Sequence, residues 1–314
     1  MSKRIRANEH CYLSLNKYHS MKNLSRFRIG SISLLVFFFL SSCTKQAGTP
    51  DNSTGLSSLR DTSLLNQPYG SNPRQVYDIH LPANRDTSTP ILLMIHGGAW
   101  KAGQKEDLNG YVNIFRQKWK NLAIVNINYR YASFANKIHH TEMMGDIQKA
   151  VDTVLAQLNK FKISSKMMIT GASAGGQLAM IYAYKYNTKI KCVGNIFGPS
   201  VMNDWSWYNS TNPLIGGFTG DFLAEYVGKA WDTTAYKAVS PFWNVNVNSQ
   251  PTIIFHGNLD PIVPVYQSQW FHGKLRNLGV PVEYHEYIAF HSFDNTQSDD
   301  VINKMIAFFK VHLK

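Results

Sequence analysis

The chain has 314 residues, of which 44% are hydrophobic and 17% charged, a balance that argues against intrinsic disorder and suits a globular enzyme. Its formal net charge of +12 invites a nucleic-acid-binding interpretation, but residues 1–42 hold seven Lys/Arg and one Glu, and the remainder carries a scattered +6. We therefore expect no nucleic-acid partner.

The N-terminal segment has the composition of an export signal. Two arginines precede the apolar run 29–40, and small residues lead from that run to Cys43. A basic region, a short apolar core and a small-residue exit are the parts of a secretory signal, and twelve residues are too few to span a hydrocarbon core about 30 Å thick. We predict a signal segment over residues 1–42, with Met21 as an alternative start.

The residues 40–43, Leu-Ser-Ser-Cys, resemble the lipobox of bacterial lipoproteins. The resemblance implies that Cys43 carries lipid and anchors an exported protein to a membrane of the cell envelope. A plain secretory signal with a chance cysteine is the alternative. Residues 43–73 are rich in Ser, Thr, Gly, Asn and Asp and show no hydrophobic period, so they predict a flexible tether.

From residue 74 to 314, short apolar runs alternate with amphipathic stretches. Predicted strands cover 76–81, 91–95, 123–127, 167–170, 190–195, 252–255 and 282–287, and predicted helices cover 108–119, 140–161, 175–186, 265–278 and 299–313. This alternation predicts an α/β domain with a mostly parallel, twisted sheet and helices on both faces. An aromatic-rich insertion at about 196–250 predicts a small cap. The ligand site of such a fold lies beyond the carboxyl ends of the strands.

A nucleophile motif follows the predicted strand 167–170. Residues 171–176 read Gly-Ala-Ser-Ala-Gly-Gly and open a predicted helix, so G-x-S-x-G stands in the strand–turn–helix context of a nucleophile elbow. The motif identifies Ser173 as the candidate nucleophile. A Gly/Ala/Ser loop at a strand end is the alternative.

An oxyanion-hole motif follows the predicted strand 91–95. Residues 96–100 read His-Gly-Gly-Ala-Trp, and two glycines at a strand exit let backbone N–H groups face a cavity. We predict that Gly98 donates from this loop, with Gly97 or Ala99 as the alternative donor, and that Ala174, the residue after the nucleophile, donates the second N–H. His96 is expected to be a structural hydrogen-bonding residue rather than the base.

Two further residues complete a triad in the order Ser, Asp, His. Asp260 follows the predicted strand 252–255 in the turn His-Gly-Asn-Leu-Asp-Pro, where a carboxylate can orient a histidine. His291 follows the strand 282–287 in an apolar loop and is the candidate base. His285 is the nearest rival, but it alternates within that strand and is expected to be structural. No clustered Cys/His pattern is present, so we predict neither a metal nor a cofactor.

With these motifs in place, the chain resembles the carboxylesterase-like and acetyl-esterase-like α/β-hydrolases of the HGGxW type, the BD-FAE-like esterases and kynurenine formamidase-like enzymes. The residues that carry the resemblance are 77–82, 96–100, 128–131, Asp146 with Ala150, 171–176, 197–199, 256–264 and His291. The family commonly has glycine on both sides of the histidine in G-x-x-H-G-F, whereas residues 288–293 here read Ile-Ala-Phe-His-Ser-Phe.

The resemblance implies a serine carboxylic-ester hydrolase that forms an acyl-enzyme and acts on short-chain acyl or aryl esters. Exported members resemble enzymes that deacylate plant polysaccharides, so an acylated saccharide is an expected substrate. A serine exopeptidase of the prolyl-oligopeptidase type and a non-catalytic ligand-binding pseudo-hydrolase are the alternatives. Turnover of an activated acetyl ester separates enzyme from binding protein.

Overall fold

One eight-stranded sheet organises the fold, in a computed structural model whose described residues are 59–186 and 189–313. The predicted signal segment, Cys43 and residues 43–58 of the predicted tether lie outside the described residues. The described strands are β1 (Thr62–Pro68), β2 (Val76–Leu81), β3 (Ile91–Ile95), β4 (Ala123–Ile127), β5 (Met167–Ala172), β6 (Ile190–Ile196), β7 (Thr211–Asn212), β8 (Gly217–Phe218), β9 (Thr252–Gly257) and β10 (Val282–Tyr287).

The sheet has the strand order β1-β2-β4-β3-β5-β6-β9-β10. β2 pairs antiparallel with β1 and β4, and every pair from β4 to β10 is parallel. The prediction of a mostly parallel sheet is therefore confirmed. The carboxyl ends of β3, β5, β9 and β10 meet at one edge, which is where the predicted motifs follow their strands.

Helices cover both faces of the sheet, as predicted. The described α-helices are α1 (Asn109–Lys118), α2 (His140–Leu155), α3 (Leu158–Phe161), α4 (Ala174–Ile181), α5 (Trp205–Tyr208), α6 (Thr219–Val227), α7 (Thr233–Ala238), α8 (Pro241–Asn244), α9 (Tyr266–Asn277) and α10 (Asn295–His312). Side chains of α1 and α10 form one core layer, and side chains of α2, α4 and α9 belong to the other. The odd-numbered residues of β3 face the α2 layer and its even-numbered residues face the α1 layer, so all five are buried.

β1 corrects the predicted extent of the tether. Residues 62–68 pair antiparallel with β2, with Ser63 opposite His80, and Tyr69 after them is buried, its hydroxyl donating to the Asn128 carbonyl at 2.5 Å. The tether prediction is therefore wrong for these residues. An edge strand carries polar residues on its exposed side, and a register shift at Leu64–Gln67 interrupts the alternation, so no period of two is visible in the sequence.

The insertion between β6 and β9 folds as a cap that contains β7, β8 and α5 to α8. Most of its aromatic side chains pack inward: Tyr226 and Tyr236 are fully buried and Trp207 is nearly so, whereas Trp205 remains 54% exposed. The aromatic side chains of the insertion pack mainly against one another within the cap, and Tyr226 joins the cap to Trp100 of the body. Across the ranges 59–186 and 189–313, none of the helices has the length and apolar character needed to cross a membrane.

Candidate active site

Ser173 lies on a sharp turn between β5 and α4. β5 ends at Ala172 and α4 begins at Ala174, and Ser173 between them adopts φ 55° and ψ −126°. A non-glycine residue at positive φ is strained by roughly 1–3 kcal/mol and persists where the surrounding packing fixes it. A Cβ atom on Gly171 would lie 2.3 Å from the carbonyl oxygen of Gly175, so the turn tolerates only small neighbours. It presents Ser173 to the cleft above the sheet.

The structure brings Ser173, His291 and Asp260 into one hydrogen-bonded chain. His291 Nε2 lies 2.8 Å from Ser173 Oγ, and His291 Nδ1 lies 2.6 Å from Asp260 Oδ2. Because an ionised carboxylate only accepts, Nδ1 carries the proton, and Nε2 is free to accept from the serine hydroxyl. His291 makes both contacts although Ile288 and Ser292 stand where the family commonly has glycine.

The side chain of Asp260 is fully buried and charged. Burial alone would raise the pKa of its carboxyl, but hydrogen bonds from His256 and His291 outweigh burial and hold the pKa well below its usual value. Its second oxygen, Oδ1, accepts from the backbone N–H groups of Ile262 at 2.8 Å and Val263 at 3.0 Å. The carboxylate is therefore fixed in place and ionised at neutral pH.

His256 is a partner of Asp260 that the sequence analysis did not identify. Its Nε2 lies 3.0 Å from the Val263 carbonyl and 3.2 Å from Asp260 Oδ2, and its Nδ1 lies 2.6 Å from Ser268 Oγ. A carbonyl only accepts, so Nε2 carries the proton and donates to both oxygens. The available signal is the position of His256 at the end of β9, four residues before Asp260.

Phe197 packs against the candidate base. Its ring centroid lies 4.6 Å from that of His291 and 5.3 Å from that of Phe293. Phe197 follows β6 directly and adopts a positive φ of 42°. The imidazole is therefore oriented by an aromatic face as well as by Asp260.

Gly98 and Ala174 of the predicted oxyanion hole border the spaces at Ser173. Residues 96–100, here termed the oxyanion loop, turn tightly at Gly98, whose φ is 109° and whose carbonyl accepts from the N–H groups of Lys101 and Ala102. Gly97 lies directly against the elbow, because a Cβ on it would be 3.1 Å from Ser173 Cβ. Ala174 is the first residue of α4, where an N–H has no partner within the helix.

A buried hydrogen-bond network lies behind the oxyanion loop. Trp100 Nε1 donates to Gln177 Oε1 at 3.0 Å, and Gln177 Nε2 donates to the Tyr226 hydroxyl at 2.9 Å and to the Val239 carbonyl at 2.8 Å. Tyr226 also stacks on Trp100 with ring centroids 4.6 Å apart. The network links the oxyanion loop, the elbow helix α4 and the cap.

Two connected spaces meet at Ser173. The inner one is narrow, with a cavity volume of about 20 Å³, and is lined mainly by apolar side chains from the oxyanion loop and the cap, among them Trp100, Trp207, Phe222 and Leu223. The outer one is wider, with a cavity volume of about 340 Å³, and is lined by Gly98, Lys101, Leu214, Phe222, Ile262 and His291, among others. The inner space can hold only a small group, and the outer space has room for a larger one.

His285, the rival base, does not join the site. Its Nε2 lies 3.0 Å from Glu283 on the same strand, and its ring stacks on Phe255. Within residues 59–186 and 189–313, no group of three or more His, Cys, Asp or Glu side chains is arranged to hold a metal ion.

A family model described as BD-FAE matches residues 77–275. Esterase LipC of Mycobacterium tuberculosis is 26% identical over 226 residues, which are 66% of this chain and 54% of LipC. The chain thus spans about half the length of this curated relative.

Solved structures share the fold. A bifunctional GH43-CE protein of Bacteroides eggerthii superposes with a TM-score of 0.69 at 22% identity, covering 82% of this chain and 36% of that one. A truncated carbohydrate esterase from gut microbiota superposes with a TM-score of 0.65 at 20% identity, covering 82% of this chain and 98% of that one. These likenesses confirm the predicted α/β-hydrolase fold.

Proposed function

We propose that this chain, which belongs to the BD-FAE family, is a serine hydrolase that cleaves small carboxylic esters through an acyl-enzyme on Ser173. The observation that carries the proposal is the hydrogen-bonded chain Ser173–His291–Asp260, with donor–acceptor distances of 2.8 and 2.6 Å, beside the oxyanion loop. The name of Esterase LipC, which is similar to this chain in sequence, describes the same class of reaction, ester hydrolysis.

In the acylation step, Ser173 Oγ attacks the ester carbonyl carbon while His291 Nε2 takes the hydroxyl proton. The carbonyl oxygen becomes an oxyanion and receives hydrogen bonds from the N–H groups of Gly98 and Ala174. One such donor contributes about 2.7–4 kcal/mol to transition-state stabilisation. The tetrahedral intermediate collapses, the alcohol leaves with the proton from His291, and the acyl group stays on Ser173.

In the deacylation step, His291 Nε2 takes a proton from water, and the resulting hydroxide attacks the acyl carbon. The second tetrahedral intermediate releases the carboxylic acid, and the proton returns to Ser173 Oγ. Asp260 stabilises the imidazolium that forms in each half-reaction without itself taking the proton. Its low pKa suits this role, because the carboxylate stays ionised throughout.

The acyl group occupies the inner space and is therefore short. A cavity volume of about 20 Å³ between bulky apolar side chains leaves room for an acetyl or similar group and excludes a long chain. The alcohol part lies in the open outer cleft. Two structural neighbours are described as a carbohydrate esterase or a GH43-CE protein, which supports an acylated saccharide as the alcohol component of the substrate.

We further propose that the enzyme works at the cell envelope, anchored by lipid on Cys43. The lipobox-like residues 40–43 support this location. Cys43→Ser is expected to move the protein from the membrane to the soluble fraction of cells, and unchanged membrane fractionation argues against the anchor.

The test of the proposed function is hydrolysis by the purified protein across a substrate series. The series comprises 4-nitrophenyl acetate, butyrate and octanoate, acetylated xylan and methyl ferulate. We expect turnover of the acetyl esters and little turnover of the octanoate. Absence of turnover on all five substrates contradicts the proposal and favours a ligand-binding protein, whereas faster turnover of the octanoate contradicts the short acyl pocket.

A further inference from the structure

Arg74 lies behind the oxyanion loop and contacts it through His96. Its guanidinium Nη2 lies 3.3 Å from His96 Nε2 and donates to the Gly103 carbonyl at 3.1 Å. Its Nε donates to the Tyr129 carbonyl at 2.8 Å. Arg74 stands in the turn before β2, far in sequence from every motif of the site, and it is half-buried.

The guanidinium has a fixed position. Its carbon lies 3.6 Å from the centroid of the Tyr131 ring, and the Tyr131 hydroxyl donates to the same Gly103 carbonyl that Arg74 binds. A planar guanidinium that is stacked on an aromatic face and bonded at two edges has little freedom to move.

These contacts determine the tautomer of His96. Arginine donates hydrogen bonds and accepts none, so His96 Nε2, which faces it, must be the unprotonated nitrogen. The proton is then on Nδ1, which lies 2.6 Å from the carbonyl oxygen of Gly97. That oxygen accepts, so both contacts of the ring are satisfied by one tautomer.

The imidazole is held in the neutral form and in a fixed plane. Burial, supported by the neighbouring charge of Arg74, lowers the pKa of His96 to about 4, and the ring stacks on Tyr129 with centroids 4.4 Å apart. On the other side, Gly103 leaves space for the Gly97 carbonyl: a Cβ on Gly103 would lie 2.4 Å from that oxygen.

The direction of the Gly97 carbonyl sets the direction of the next N–H. In a planar trans peptide the C=O and the following N–H point to opposite sides. When His96 Nδ1 holds the Gly97 carbonyl away from the cleft, the N–H of Gly98 faces the opposite way, toward the space that Gly98 borders with Ser173 and His291. We infer that Arg74 is a positioning residue, which aims the Gly98 N–H at the oxyanion by fixing the tautomer of His96.

This inference rests on the proposed ester-hydrolase function and is tested by Arg74→Met, Arg74→Lys and a matched control, Arg85→Met. Arg85 also binds backbone carbonyls, those of Arg60, Pro82 and Phe161, but it lies outside the site. Methionine keeps the apolar stem and removes every donor. Lysine can still donate one bond to His96, so it tests rescue where Arg74→Met folds poorly.

Removing a whole oxyanion donor typically lowers kcat about 10²–10³-fold, so a misdirected donor in Arg74→Met is expected to lower kcat for 4-nitrophenyl acetate by roughly tenfold or more. KM should change less than twofold, because the ground-state ester does not depend on the donor. The inhibition constant of phenylboronic acid, which forms a tetrahedral adduct, should rise by a factor similar to the loss in kcat/KM. Arg74→Lys should lie closer to wild type, and Arg85→Met should match wild type in kcat.

Imidazole ¹⁵N chemical shifts of His96 give a readout that needs no activity. The expected result is a protonated Nδ1 in the wild type and a mixture of tautomers in Arg74→Met. A protonated Nε2 in the wild type, or an Arg74→Met variant with unchanged kcat and boronate affinity, overturns the inference. If the wild type hydrolyses none of the esters while the Nδ1–H tautomer is observed, the proposed function fails, whereas the hydrogen bonds that join Arg74, His96 and Gly97 are confirmed.

Discussion

The carboxylate oxygen Oδ2 of Asp260 accepts hydrogen bonds from two imidazoles, from His291 Nδ1 at 2.6 Å and from His256 Nε2 at 3.2 Å. The first imidazole faces Ser173, and the second is fully buried and bonded to Ser268. Asp260 is thus oriented from behind by His256, while it orients His291 in front.

Replacement of His256 by Asn is expected to lower kcat about tenfold, the effect of losing one hydrogen bond of about 1.5 kcal/mol to a charged group. It should also raise the pKa of Asp260, because that donor helps to hold the pKa low. The values of kcat for His256→Asn and for the control His285→Asn measure the effect, and a kcat of His256→Asn that equals that of the wild type speaks against the role of His256.

Ser173→Ala and His291→Ala are each expected to lower kcat by roughly 10⁴-fold or more, and the double variant should be scarcely worse than either, because residues of a triad act as a unit. Asp260→Asn leaves nucleophile and base in place and should be less damaging. Circular dichroism checks that all variants are folded. Multiplicative losses in the double variant contradict the cooperative chain, and an active His291→Ala with an inactive His285→Ala moves the base to His285.

Enlarging the inner space should broaden acyl-chain selectivity. Phe222 borders both spaces at Ser173, so Phe222→Ala opens the wall that limits chain length. Each buried methylene contributes about 0.8 kcal/mol, so burial of about two further methylenes of the hexanoyl chain is expected to raise the ratio of hexanoyl to acetyl kcat/KM roughly tenfold. Phe134→Ala, which removes a 48% exposed ring, is the control, and an unchanged ratio in Phe222→Ala refutes the assignment of the acyl pocket.

The buried His140 predicts acid sensitivity of the fold. Its nitrogens face the hydroxyls of Tyr226 at 2.6 Å and Tyr186 at 3.1 Å, and burial lowers its pKa from 6.5 to about 3. Between those pH values the unfolded chain binds a proton that the folded chain does not, so the free energy of unfolding falls as the pH falls.

At pH 5 the contribution of His140 to this loss is about 2 kcal/mol relative to pH 7. His140→Gln is expected to be less stable than wild type at pH 7 but to lose about 2 kcal/mol less on transfer to pH 5. Urea unfolding of both proteins at the two pH values measures the difference. An equal loss in both proteins shows that another group causes the acid sensitivity.

The sequence predicts the central strands of the sheet well because they are buried on both faces. β3 and β4 begin and end where the apolar runs do, since a strand covered by helices on both sides has no polar positions to blur its limits. β10 also keeps its predicted limits, although it lies at the sheet edge and is only half-buried. The residues of the triad could be singled out because each lies shortly after the carboxyl end of a strand, and the carboxyl ends of parallel strands share one edge.

Features that depend on side-chain contacts across the chain could not be predicted in this way. The last helix begins at Asn295 rather than near 299, because Asp294 and Gln297 exchange hydrogen bonds in a capping box that the apolar period does not reveal. Arg74 and His96 meet across 22 residues of chain. A lone arginine before a strand carries no signal of such a contact.

The central claim is that Ser173 becomes acylated during turnover, and acid-quench mass spectrometry tests it most directly. Wild-type protein mixed with excess 4-nitrophenyl acetate is quenched within milliseconds, digested and analysed for the peptide that contains Ser173. We expect an added acetyl group on Ser173 of the wild type and none in His291→Ala within that time, because acylation also requires the base. Turnover without any acetyl group on Ser173, or turnover that persists in Ser173→Ala, contradicts the account.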